Sequence, residues 1–468
     1  MSGAERNFWR KSLAIVRKIW YTEYNMGCNA SHIFLEKGAA CMFTEGCRMS
    51  RHSFSGAVRR YFSANDPVRV FVPVVAVGMV LYFLLCVIFG EGRFTSIFFS
   101  EGNDLFMDFF NSIRDASQGS AVYTERHVIY PPMANLLFLI FSRFTPSYYN
   151  SSSFEHRKLW IHYPSAIILI VLFTMMVAVL LALLIATQVR RSRVLNGAFA
   201  FFAIFSVPVL YTFERGNILS LCLLSLLVYA ATYHSEKRCY RELGLLALAF
   251  AFSLKLYPAI FGYFLLCDKR YKETIRCCVY ALLMLILPSF FFGGPACLIT
   301  LFRNTFSFSS SGGSGIVAVL GYLRIPEWVF RILSRLWILL CAGAFLLAPF
   351  SGAARWKCWL MGLLTILVVP SLTSVYSWAF LLIPLLLLYK AYAPDENGRY
   401  GYTRKDWFYF LVILIPFFAL PFRLFSAITS NGLAVYLCTA VMSVYAVIDI
   451  LTSWLRKRRE KKAEIVRS

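Results

Sequence analysis

The chain is short of charge. Only 15% of its 468 residues are Asp, Glu, Lys or Arg, and acids are the scarcer part, 24 against 47 bases. Soluble domains carry roughly a quarter of their residues as charges, so a soluble globular fold is excluded. Familiar reaction signatures are missing too. There is no GxxxxGK[ST], no GxSxG and no CxxC, which removes the motif basis for P-loop chemistry, a nucleophile elbow or a thiol-redox pair. Internal repeats are absent, and the one low-complexity stretch is 307–315. The glycines Gly312, Gly313 and Gly315 there lack the strand and helix context of a nucleotide loop and read as a flexible external loop or lid. The 13 cysteines fall mostly inside apolar runs, as at Cys86, Cys222, Cys277, Cys278, Cys341 and Cys438, and read as small buried hydrophobes. Cys28, Cys41 and Cys47, with His32 and His52, fit no common zinc spacing.

What is present is hydrocarbon. The chain is 59% hydrophobic, with mean hydropathy +0.63. Runs at 70–90, 160–187 and 432–454 approach or exceed the ~20 residues that cross a bilayer. Backbone groups there must bond internally, so the runs are helices. The first begins near Val70, behind a polar segment, and no cleavable signal peptide is expected. A net charge of +23 suggests nucleic acid in a soluble chain, but here the bases cluster between apolar runs and at both ends. That is the positive-inside pattern, with attraction to anionic lipid. Residues 1–68 are expected to be a basic cytoplasmic segment. Trp9, Leu13, Val16 and Trp20 line one helical face in it, and Arg10, Lys11, Arg17 and Lys18 the other. This reads as an interfacial helix or as the packed helix of a small soluble domain. Residues 69–455 form the membrane domain and 456–468 a basic cytoplasmic tail.

Basic clusters at 190–193, 236–241, 268–276, 355–357, 390–405 and 456–462 divide the membrane part. If all lie inside, an even number of crossings separates each pair. Two helices then flank each of the polar apices 214–217, 306–315, 371–376 and 421–423, and two half-helices or one broken helix meet at Lys255. The fold expected is all-α and polytopic, with about 11–13 transmembrane or re-entrant helices. The segment 131–143 is short. It either crosses or dips in without crossing, and the re-entrant reading is preferred. Asn150-Ser151-Ser152 is a glycosylation sequon too common to settle the side.

The loop at 102–132 concentrates what charge there is: Asp104, Asp108, Asp115, Glu125, Arg126 and His127. Asp104 and Asp108 are four apart and share a face if helical. A carboxylate at a membrane surface can serve as general base. Two carboxylates also suit a retaining glycosidase or a divalent cation such as Mg or Mn, and they are also read as plain solvated acids. Arg126 and His127 bind phosphate or face solvent. Tyr130-Pro131-Pro132 starts a helix. Lys255 follows twelve largely apolar residues, and an ionisable group at membrane depth costs at least ~2.5 kcal/mol. It either snorkels to the interface or provides a point charge for phosphate. Glu214 and Arg215 form a surface ion pair, or Arg215 adds a forked donor. Asn217 caps the next helix or bonds sugar hydroxyls.

Taken in order, these pieces resemble the GT-C glycosyltransferases, specifically glycosyltransferase family 87, and more distantly the mannosyltransferase of GPI-anchor assembly. The matching runs are the acidic loop ending in Val128-Ile129-Tyr130-Pro131-Pro132, then Arg215-Gly216-Asn217, then Ser253-Leu254-Lys255-Leu256-Tyr257-Pro258. They cover roughly 70–270, with a weak echo at Ser374 to Trp378. The resemblance implies a polyprenyl-phosphate sugar donor, an inverting transfer to a lipid-linked or cell-envelope glycan, and an active site on the non-cytoplasmic face. The membrane would be the cell membrane in a bacterium or the endoplasmic reticulum in a eukaryote. The family's loop aspartate maps first onto Asp104 and second onto Asp108. Arg126, His127, Tyr130, Glu214, Arg215, Asn217, Lys255, Tyr257 and Tyr376 are the expected substrate-binding residues. Where the family carries Gly-Gln-x-Asn this chain has Arg-Gly-Asn, which leaves the donor sugar open. A transporter or flippase of a lipid-linked glycan also suits broken helices and a membrane lysine, but has no need of an acidic external loop. A lipid-linked glycan polymerase should rely on external arginines, and only Arg126, Arg215, Arg303 and Arg423 are on offer.

Overall fold

The computed structural model describes residues 61, 64–89, 105–145, 163–310, 326–369, 372, 374–396, 398–419, 423–425 and 428–467. The amphipathic stretch around Trp9 to Trp20, Asp104, the sequon at Asn150, the glycines at 312–315 and the pair Pro421-Phe422 lie outside these residues. Within them the chain meets the demand for internal backbone bonding with helices. In order they are α1 (Pro67–Phe89), α2 (Met107–Ala116), α3 (Pro132–Ser142), α4 (Pro164–Gln188), α5 (Arg193–Ile204), α6 (Val207–Glu214), α7 (Leu219–Thr232) and α8 (Arg238–Leu254). A 3₁₀ turn (Tyr257–Gly262) leads into α9 (Tyr263–Cys267), followed by α10 (Tyr271–Ser289), α11 (Cys297–Ser310), α12 (Glu327–Leu347) and α13 (Arg355–Leu367). A second 3₁₀ turn (Tyr376–Leu381) leads into α14 (Leu382–Lys390), then α15 (Arg404–Phe418) and α16 (Ser430–Arg467). Local chemistry sets the starts. Proline stands in the first turn of α3, α4 and α6, where its missing N–H is no loss. Asp66 accepts from Val68 N at 3.2 Å before α1, and Thr403 with Asp406 closes a capping box on α15.

Five helices among the described residues are long and apolar enough to cross a membrane, six if α5 and α6, bent by 51°, count as one span. Shorter apolar pieces at 132–142, 219–232, 257–267 and 376–390 fill the bundle. The chain is an all-α polytopic membrane protein, as expected, with one small addition. Arg423–Phe425 and Ile428–Thr429 pair as a short antiparallel hairpin before α16. The α3 segment has 11 residues, roughly 16 Å at 1.5 Å per residue, about half of a hydrocarbon core.

One expectation is corrected. Residues 277–354 were expected to hold two helices around a loop at 306–315. The chain instead breaks at Gly293 and Gly294, whose φ values are +92° and +81°, a region that only glycine enters without strain. Pro295 follows. Helix α11 then runs through Phe306, seated by Cys297, Leu301 and Asn304 on its buried face. Asn304 Nδ2 donates to the carbonyls of Tyr123 and Val128 at 2.9 and 3.3 Å, tying α11 to the loop before α3. The serines misled because they end helices only when no inner face holds them.

The basic clusters share one face of the bundle. Arg191 donates to Asp66 at 3.0 Å and to the Tyr402 hydroxyl at 3.1 Å. Arg241 meets Glu273 at 3.1 Å, and Arg355 meets Asp268 at 3.1 Å. Lys357 and Lys405 converge on the buried Asp449 at 2.7 and 2.8 Å, and that hydrogen bond holds the Lys405 ammonium above its usual pKa. Lys457 lies against Gly352. The clusters at 190–193, 236–241, 268–276, 355–357 and 390–405 are thereby each linked to another. The core above them is aromatic, with Trp356, Trp359 and Trp378 fully buried and Phe261 stacked on Trp359 at 4.5 Å.

Candidate functional site

From the basic face, α8 rises 17 residues, roughly 25 Å, and stops at Leu254. Pro258 explains the stop. It has no N–H to give and its ring opposes the carbonyl four residues back. Lys255 is left extended at φ −145°, ψ 133°, at the far end of the bundle. The expected break at the lysine is present.

The α6–α7 turn arrives at the same end. Gly216 takes φ +61°, and a Cβ there would stand 2.7 Å from the Cβ of Phe109. Only glycine allows this approach. It lets the turn dock on the start of α2, where Phe106 N donates to Glu214 O at 2.7 Å and Asp108 N to Arg215 O at 3.1 Å. Phe106 itself sits at φ +57°, rare for a bulky residue. Helix α2 starts only after it, at Met107, and carries Asp108 in its first turn.

Asp108 is the centre of the arrangement. Arg215 Nη2 donates to its Oδ1 at 2.6 Å, and Asn217 Nδ2 to its Oδ2 at 2.8 Å. Asn217 is buried and its own Oδ1 accepts from Leu219 N at 2.9 Å. It is the cap of α7 and a partner of the aspartate at once. Arg215 forms an ion pair with Asp108. Glu214 lies half-buried beside Tyr211.

Lys255 completes the cluster. Its Nζ stands 4.2 Å over the Tyr130 ring, a cation–π contact, and faces Asp108 and Tyr376. The Tyr130 hydroxyl faces Asp108, Asn217 and Arg215. Tyr257 lies beside Tyr376 and Tyr130, with its ring 5.8 Å from Phe380. Tyr376 pairs with Tyr211 at 6.0 Å. So Asp108, Tyr130, Arg215, Asn217, Lys255, Tyr257 and Tyr376 come together from five separate stretches. Arg126 and His127 do not join them. Arg126 is half-buried, His127 is exposed at φ +52°, and neither side chain has a hydrogen bond or ion pair among the described residues. Tyr211 was missed. It faces Arg215, Glu214 and Asp108, and its position four residues before Arg215 on a helix was the available signal.

Among the described residues no three His, Cys, Asp or Glu side chains gather as a metal site. Asp108 accepts a donor on each carboxylate oxygen. The described residues place two cations, one carboxylate and four phenols at one end of a helical bundle.

The class these observations define is a multi-pass membrane protein with a polar, cationic cluster at one end of its helical bundle. The family model for glycosyltransferase family 87 matches residues 128–388, more than half of the chain. The protein belongs to that family and is a multi-pass membrane glycosyltransferase. No curated protein and no solved structure matches the chain. The match takes in Tyr130, Arg215, Asn217, Lys255, Tyr257 and Tyr376 and begins after Asp108. It extends to 388, well past the 270 where the sequence resemblance was expected to fade.

Proposed function

We propose that this glycosyltransferase takes its sugar from a polyprenyl-phosphate donor and passes it, with inversion, to a hydroxyl of a lipid-linked or cell-envelope glycan. The observation that carries the proposal is Lys255. Its ammonium faces the ring of Tyr130 and has no hydrogen-bond acceptor among the described residues. A half-buried cation without one is costly, and the phosphodiester of such a donor offers two free oxygens. The site's depth favours a lipid phosphate. Lys255 ends a helix of 17 residues, roughly 25 Å, which is short of the ~30 Å hydrocarbon core. A phosphate carried on a lipid enters such a site without leaving the membrane.

Asp108 is the base in this mechanism. It accepts the proton of the acceptor hydroxyl while that oxygen bonds to the anomeric carbon. The bond from that carbon to the phosphate oxygen breaks, and its electron pair leaves on the phosphate. Lys255 and Arg215 stabilise the leaving charge. One displacement from the face opposite the phosphate inverts the centre. Asp104 ranks first on sequence order alone. Asp108 replaces it in this proposal because it stands among the cations. The gathering of basic clusters on one face supports a cytoplasmic placement of that face, which puts Asp108 and Lys255 on the non-cytoplasmic side.

The test is transfer by the purified protein from a panel of polyprenyl-phosphate sugars and nucleotide sugars. Transfer from a polyprenyl-phosphate sugar alone is expected. Transfer from a nucleotide sugar alone would reject the donor assignment.

A further inference from the structure

We propose that Arg215 changes partners during the cycle: it holds Asp108 when no donor is bound and moves to the donor phosphate on binding, so that the donor itself uncovers the base. The inference rests on the reading of Lys255 and Arg215 as phosphate ligands. Its basis is geometric. Arg215 Nη2 lies 2.6 Å from Asp108 Oδ1, on the oxygen that the Asn217 amide leaves unoccupied. An acceptor hydroxyl that approaches Oδ1 meets the guanidinium there, and the positive charge of Arg215 opposes proton transfer to the carboxylate while it stays. Lys255 and Arg215 flank the same Tyr130, one over its ring and the other beside its hydroxyl. A phosphate seated on Lys255 therefore arrives next to Arg215. Guanidinium binds the two free oxygens of a phosphodiester through two parallel hydrogen bonds, where Asp108 takes one of its N–H groups. Asn217, tied to Leu219 N, stays behind and keeps the carboxylate oriented. The consequence is an order of events, donor before base.

A competition of this kind has a thermodynamic signature. If the phosphate must take Arg215 from Asp108, weakening the aspartate's hold tightens phosphate binding. The probe is farnesyl phosphate, measured by equilibrium binding to the detergent-solubilised full chain. The wild-type protein should bind it, and Lys255→Met should bind it more weakly. Asp108→Asn should bind it about tenfold more tightly than wild type, the scale of one charge-assisted hydrogen bond. In an Arg215→Ala background the same Asp108→Asn change should have no effect. Unchanged or weaker binding by Asp108→Asn overturns the exchange. Equal tightening with and without Arg215 also overturns it, because simple relief of charge repulsion then accounts for the gain. In both of those outcomes wild-type binding through Lys255 leaves the donor reading standing. Loss of that reading has its own mark: no wild-type binding, or wild-type affinity in Lys255→Met, ends both. If Asp108→Asn does not fold, Asp108→Ala is read against the same backgrounds.

Discussion

At Asp108, a replacement that keeps shape and removes charge separates chemistry from folding. Asp108→Asn should lower kcat by about 10²- to 10⁴-fold, the usual worth of a general base, with thermal unfolding close to wild type. Lys255→Met should act on the donor. Loss of one charge-assisted contact predicts a roughly 10- to 100-fold higher KM for the polyprenyl-phosphate sugar, measured from initial rates. Much of this site is legible in the residue order. Arg215, Asn217, Lys255, Tyr257 and Tyr376 stand out because a polar group in an apolar run is costly and so draws notice. The choice between two aspartates was not legible. Both stand in one acidic loop, and only the docking of the α6–α7 turn distinguishes Asp108. Tyr211 hid for another reason, since a tyrosine in an apolar helix looks like core. Arg126 and His127 stand apart from the described cluster, as charge next to a conspicuous motif need not point at it.

The element that sets the site is the turn at 214–217. Its left-handed Gly216 brings two helix ends within hydrogen-bonding reach, and the contact between Phe106 N and Glu214 O holds α2 in place. Gly216→Ala should cost about 1–2 kcal/mol for the positive φ alone, and more for the close approach to Phe109. Because the displaced part carries Asp108, activity should fall further than stability. Calorimetric unfolding and kcat on the same preparation measure both. A turn at 214–217 was readable from its polar residues, and so was the helix break before Pro258. The number of helices between α10 and α12 was not. A glycine pair inside an apolar run ended one helix, while a serine-rich stretch continued the next because Asn304 and Leu301 anchored it. Composition marks where a chain can turn, and packing decides where it does.

At the scale of the whole molecule the account is one of two faces. The basic clusters cross-link on one side through Asp66, Asp268, Glu273 and Asp449. Asp449→Asn leaves Lys357, Lys405 and Tyr409 short of a buried partner and should destabilise the fold by about 3 kcal/mol, seen in thermal unfolding. A cysteine placed at the exposed His127 should react with an impermeant thiol reagent only from the non-cytoplasmic side, whereas native Cys239, exposed within the basic cluster at 236–241, should react only from the cytoplasm. The charge distribution is what carries this expectation, since six basic clusters separated by paired apolar runs leave few topologies. The central claim is that Asp108 works beside a bound lipid phosphate at the end of the bundle opposite those clusters. Its most direct measurement is the initial rate of sugar transfer from a polyprenyl-phosphate sugar by wild type, Asp108→Asn and Asp104→Asn. The account predicts that Asp108→Asn loses at least about 10² in rate while remaining folded. Wild-type turnover by Asp108→Asn, with Asp104→Asn inactive, would contradict it and return the role of base to Asp104.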